Sequence, residues 1–112
     1  MVDVVALVAD LMDRTRIGAV ATDAGVDVRF VSRPEQLSVA GADLVVVDLH
    51  LEGAIGAISG LPVGVRVVGF GPHIDTTRLK AAKAAGCTTV LARSAFFSQL
   101  PDILRSDIGR SA

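Results

Sequence analysis

The sequence has no tryptophan, no tyrosine and only four phenylalanines in 112 residues. Proteins that hold single-stranded nucleic acid stack bases on such rings, and that platform is nearly missing. A basic excess is missing too. Eleven Lys and Arg stand against twelve Asp and Glu, for a formal net charge of −1, with the two signs interleaved. A chain that neutralises phosphates along a duplex needs a basic stripe, so nucleic acid is not an expected partner. The single cysteine, Cys87, cannot close an internal disulfide, which fits a reducing compartment. Its apolar neighbours mark it as a small buried residue rather than a reactive thiol. Hydrophobic residues make up 51% and mean hydropathy is +0.56, yet no apolar run approaches the roughly 18 residues of a membrane span. Asp3 and Asp10 interrupt the first apolar stretch, and no basic segment precedes it as in a signal peptide. These absences predict a cytoplasmic protein without a membrane partner, one domain over residues 1–112 with a frayed tail at 109–112. A chain of this size buries enough surface to need neither disulfide nor structural metal.

What is present is a regular alternation. Val2 to Ala9, Asp27 to Ser32, Leu44 to Val47, Val65 to Phe70 and Thr88 to Ala92 read as strands, the first and third as continuous β-branched runs buried on both faces. The second is more polar and so belongs near an edge. Helical spacing runs over Thr15–Ala24, closed by Gly25, and over the segment that Asp75 opens and Gly86 ends. Shorter helices are expected at Pro34–Val39 and Glu52–Ser59, and a last one at Ser98 to about Ile108 with Leu100, Ile103 and Leu104 on one face. Five strands alternating with five helices predict an α/β, flavodoxin-like doubly wound parallel sheet in the order 2-1-3-4-5, helices on both faces.

In such a sheet ligands sit beyond the carboxyl ends of the strands, where the strand order reverses. Ala9 and Asp10 follow the first strand, Asp48 the third, Gly71 the fourth and Arg93 the fifth. Two converging carboxylates beside a cation can hold a hard divalent ion such as Mg²⁺, and a carboxylate next to such an ion can accept a phosphoryl group.

Asp10, the run LVVVDL containing Asp48, the segment AAKAAGCTTVLARS and the five-repeat layout resemble response-regulator receiver domains of bacterial two-component systems, over essentially the whole chain. The resemblance implies that Asp48 is the phosphoacceptor and that Asp10 is one of two acids for Mg²⁺. The second acid's place holds Ala9, with Asp13 a substitute if the loop bends back. Gly71 stands where the family carries a Thr or Ser hydroxyl, Val90 where it carries an aromatic switch residue, and Arg93 where it carries a phosphate-contacting Lys. Ser94 replaces the Pro that usually follows that Lys, and the stretch from Asp48 to Gly71 is short for the family. A phosphate would bring about two negative charges to Asp48, with no hydroxyl to draw in and no ring to follow it. The reading is an atypical receiver that acts as a signalling or protein-interaction module without phosphorylation or enzymatic activity. It has no cofactor beyond weakly bound or absent Mg²⁺ at Asp10 and Asp48. Its partner, a histidine kinase or a second copy, is expected on the face of the fourth helix, fifth strand and fifth helix. The alternative is a working phosphoacceptor that uses Asp48 with Mg²⁺, and a third reading is a small-molecule binder, of a corrinoid for example, at the same crevice.

Other signals are weaker. Asp48, His50 and Gly53 match the D-x-H-x-x-G pattern of corrinoid-binding domains, but after the third strand rather than the first and with no Gly-Gly pair following. Gly69 and Gly71 form a lone G-x-G, better explained as a tight turn ahead of Pro72 than as a dinucleotide loop. His73 reads as a surface-loop histidine, and Arg14 and Arg16 as solvated charges at a helix start. Phe96 and Phe97 with Leu100 suggest an interaction patch, with one ring in the core.

Overall fold

The computed structural model describes residues 3–38, 42–72 and 75–108, with side chains described through 105. The chain order is β1 (Val4–Leu7), α1 (Leu11–Ala24), β2 (Val28–Val31), a 3₁₀ turn (Pro34–Gln36), β3 (Leu44–Asp48), α2 (Ala54–Ser59), β4 (Arg66–Gly71), α3 (Thr76–Ala85), β5 (Thr89–Ala92) and α4 (Arg93–Ile108). The five strands form one sheet in the order β2-β1-β3-β4-β5, and every pairing is parallel. This is the expected doubly wound topology.

Alternation along the strands divides the core in two. Val4, Ala6, Leu44, Val46, Val68 and Phe70 point to the face covered by α1 and α4, where Ile17, Phe96, Leu100 and Leu104 complete one cluster. Val5, Leu7, Val45, Val47 and Val67 point to the other face, against Ala54 and Ile58 of α2 and Ala82 of α3. Every residue of β1 is buried, which is why its sequence shows no polar alternation. β2 and β5 are the sheet edges and are only partly covered.

The larger departures lie at helix ends, although β1 also stops at Leu7 where a strand to Ala9 was expected. The first helix begins at Leu11 rather than at Thr15, because the Asp10 carboxylate accepts the Asp13 N–H at 2.9 Å and caps it. The expected helix at Pro34–Val39 is a single 3₁₀ turn among the described residues. α2 starts two residues late, after Gly53 in the left-handed region at φ +83°. α4 follows β5 with no loop at all, five residues ahead of the expected start, and carries Pro101 within it. A proline there removes a helical hydrogen bond and costs about 3 kcal/mol. Phe96, Leu100 and Leu104, all fully buried on one stripe, offset it, since each such side chain contributes about 1.5–3 kcal/mol. Among the described residues there are thus four α-helices and one 3₁₀ turn where five helices were expected. The tail 109–112 and His73 lie outside the described residues.

Candidate functional site

β1 and β3 lie side by side, with Leu7 opposite Val47, and the chain leaves them toward opposite sides of the sheet. The carboxyl ends of these strands therefore open a crevice. Asp10 lies on one wall at the start of α1. Asp48, half-buried, is the last residue of β3 and pairs with Phe70. Gly71 and Ala92 close the next rung, and Arg93 opens α4.

The carboxylates are engaged from within. Asp10 spends one oxygen on the cap of α1. Asp48 accepts the backbone N–H of His50 at 2.9 Å, folding the following loop back on itself. Burial raises the Asp48 pKa above the ordinary carboxylate value. The His50 N–H works against that rise, and the charge of Asp13 adds to it.

Asp13 is the one buried charged residue among those described, with 2% exposure. It lies in the first turn of α1, on the stripe it shares with Ile17 and Ala21, and takes a two-point salt bridge from Arg93. Nη1 donates to Oδ2 at 2.6 Å and Nη2 donates to Oδ1. The hydrogen bond to Asp13 pushes the Arg93 pKa further up, with Asp10 and Asp48 adding favourable charge. Arg93 thus meets an internal acid where the resemblance implied a phosphate.

For Mg²⁺ the donor set is a poor fit. Among the described residues no group of three or more His, Cys, Asp or Glu is arranged to hold a metal. A hard ion replaces tightly held waters only for several free anionic oxygens, and here Asp13 is committed to a guanidinium while Asp10 and Asp48 each serve a backbone N–H.

Gly71 is buried and adds no hydroxyl. Val90 is half-buried in β5 and packs on the cluster beneath α2 and α3. Phe70, in the core cluster under α1 and α4, is stacked on Phe96 with centroids 4.3 Å apart and planes 8° apart. Phe97 meets both edge-on, so Phe96 is the core ring and Phe97 the half-exposed one. Cys87 is buried, which pushes its thiol up to about 11.

Arg14 and Arg16 are not merely solvated. Arg14 donates to the Val8 carbonyl and to Ser32 Oγ, both at 2.6 Å, and lies over the Phe30 ring. Arg16 stacks on Phe97 at 4.0 Å from the ring centroid. His50 is exposed, 3.4 Å from Arg78 Nη1, at the rim of a cavity of about 550 Å³ between the β3–α2 loop and α3. The pairing of Asp13 with Arg93 was missed by sequence reasoning, although a signal existed. Asp13, Ile17 and Ala21 fall at i, i+4 and i+8, so an acid on the apolar stripe calls for a cation opposite it.

No protein-family model and no curated protein matches the sequence. Solved structures do. The Vibrio cholerae chemotaxis protein CheY4 is similar at TM-score 0.80 and 15% identity, over 96% of this chain and 98% of that one. A response regulator from Thermotoga maritima gives 0.76 and 15%, over 97% and 99%. The receiver domain of the sensor histidine kinase PA1611 from Pseudomonas aeruginosa, with magnesium coordinated in its active-site cleft, gives 0.74 and 20%, over 96% and 97%. At such identities the likeness speaks for architecture. No helix among the described residues is long and apolar enough to cross a membrane. In strand order, helix placement and extent, this chain has the fold of the response-regulator receiver domain.

Proposed function

We propose that this chain is an atypical receiver-like module that signals through protein contact and does not depend on phosphorylation of Asp48. The observation that carries this reading is the Asp13–Arg93 salt bridge. A bidentate guanidinium–carboxylate pair is strong and directional. A phosphoryl group on Asp48 would have to compete with Asp13 for Arg93, and it would find no hydroxyl at Gly71. The module has no catalysis of its own. Its partner, a histidine kinase or a second copy of the chain, docks on the face of α3, β5 and α4. β5 is a sheet edge there, and Lys80 and Lys83 of α3 are exposed.

One observation favours the second reading, a working phosphoacceptor. The Asp48 carboxylate is half-exposed at the end of β3, open to attack on phosphorus. Incubation with acetyl phosphate and Mg²⁺, followed by intact-mass measurement, separates the two. The first reading expects no gain of mass and no movement of amide resonances in β5. A gain of one phosphoryl group that disappears in Asp48→Asn, together with shifts around Val90, replaces it with the second.

A further inference from the structure

Between α1 and α4 lies a cavity of about 360 Å³ lined by Arg16, Arg93, Ser94, Phe97 and Ser98. Its lining is one-sided, with two guanidinium groups, two hydroxyls and one aromatic ring, and no carboxylate. Neither Asp48 nor Gly71 borders it. The Phe97 ring gathers the cations, with Arg16 Cζ 4.0 Å and Arg93 Cζ 5.1 Å from its centroid. Two like charges drawn to one ring repel unless something neutralises them. Asp13 neutralises Arg93. Among the described residues no carboxylate pairs with Arg16, and the ring quadrupole orients its guanidinium without cancelling the charge.

We propose that this pocket binds a single oxyanion of the phosphate class. Arg16 brings an uncommitted planar donor set, suited to two parallel hydrogen bonds with an oxyanion. A guanidinium has five N–H donors, and Asp13 takes two from Arg93, so donors remain on its exposed side. Ser94 and Ser98 are one turn apart on α4, on the same face. The Ser98 hydroxyl is held only by a long contact of 3.4 Å to the Ala95 carbonyl and can turn toward an anion. Arg16 and Arg93 both already lie over Phe97, so the ring holds cations rather than a nucleotide base. The ligand is the charged group itself, free or borne on a small monoester.

The test is a titration with inorganic phosphate, ionic strength held constant with chloride, followed by amide resonances and the Arg16 Nε resonance. Saturable shifts at Arg16, Ser94 and Ser98 in the millimolar range are expected. Arg16→Gln should weaken binding by about tenfold, the effect of one charged hydrogen bond, while Asp48→Asn leaves it unchanged. Unperturbed resonances of the buried Val46 and Leu104 verify that Arg16→Gln keeps the fold. Phosphoserine in place of phosphate then tells a monoester from the free ion by which binds more tightly. Shifts that rise without saturating, that survive Arg16→Gln, or that centre on Asp48 and Gly71 would overturn the proposal.

Discussion

Asp13 and Arg93 lie 80 positions apart in sequence and meet as a bidentate salt bridge at the mouth of the crevice. The acid is buried, whereas the arginine side chain keeps 37% of its surface exposed. The pair ties the first turn of α1 to the junction of β5 and α4. It also takes two of the donors of the cation that the receiver resemblance reserves for a phosphate on Asp48.

The two halves of this pair are not equivalent energetically. Arg93→Met strands a buried carboxylate, which in fully buried pairs costs about 3–5 kcal/mol. Partial solvent access at Arg93 lowers the expected loss to about 2–3 kcal/mol. Asp13→Asn leaves a guanidinium that can turn to water, and should cost only about 1 kcal/mol. Urea unfolding of both variants checks the order. Equal losses, or a larger one for Asp13→Asn, would show that Asp13 is not held as described.

Magnesium should bind the native chain in the millimolar range or more weakly, because Asp13 is engaged and Ala9 contributes no oxygen. Arg93→Met frees the Asp13 carboxylate beside Asp10 and Asp48, so its Mg²⁺ affinity should rise above that of the native chain. Titration calorimetry on both proteins is the measurement. Micromolar binding by the native chain contradicts this account of the crevice.

Asp48 should make stability depend on pH in a definite direction. Burial, with the charge of Asp13 adding to it, raises its folded pKa above the ordinary 3.8. The folded state therefore holds the proton more firmly than the unfolded chain does. That contribution is fully present below 3.8 and is lost as pH rises through the raised value. Asp48→Asn removes the charge and keeps an acceptor for the His50 N–H. Its Tm should exceed that of the native chain at neutral pH, and the gain should vanish in acid. Thermal melts at neutral pH and in acid decide it, and a lower Tm for the variant at neutral pH counts against it.

Gly69 is set by packing rather than by backbone conformation. A Cβ there would fall 2.8 Å from Leu49 Cδ1 and 2.9 Å from Cys87 Sγ. Both neighbours are buried. Gly69→Ala should cost about 1–3 kcal/mol, the range for overfilling a packed core. Adding Leu49→Ala should make the two changes less than additive, since the smaller side chain admits the new methyl. Strict additivity in denaturant melts would show that the close approach does not limit this site.

Fold class and strand order were legible in the sequence alone. Val4–Leu7 and Leu44–Val47 are continuous apolar runs because strands covered on both faces need no polar alternation. Asp48 could be assigned to a strand end for the same reason, since an apolar run stops where the chain leaves the core, whereas Asp10 lies beyond the end of β1 at Leu7 and caps α1 instead. Helix starts were less legible. The N-cap at Asp10 looks in sequence like any loop aspartate, and α4 begins without a loop to announce it. What only the tertiary structure decided is the state of the charges. Whether Asp13 serves a metal or Arg93, and whether Arg16 faces water or Phe97, depends on which helix lies across from it. Hydrophobic periodicity is a local property of one element and survives in the linear order of residues. Ion pairing falls steeply with distance and rises with burial, and both are properties of the assembled fold alone.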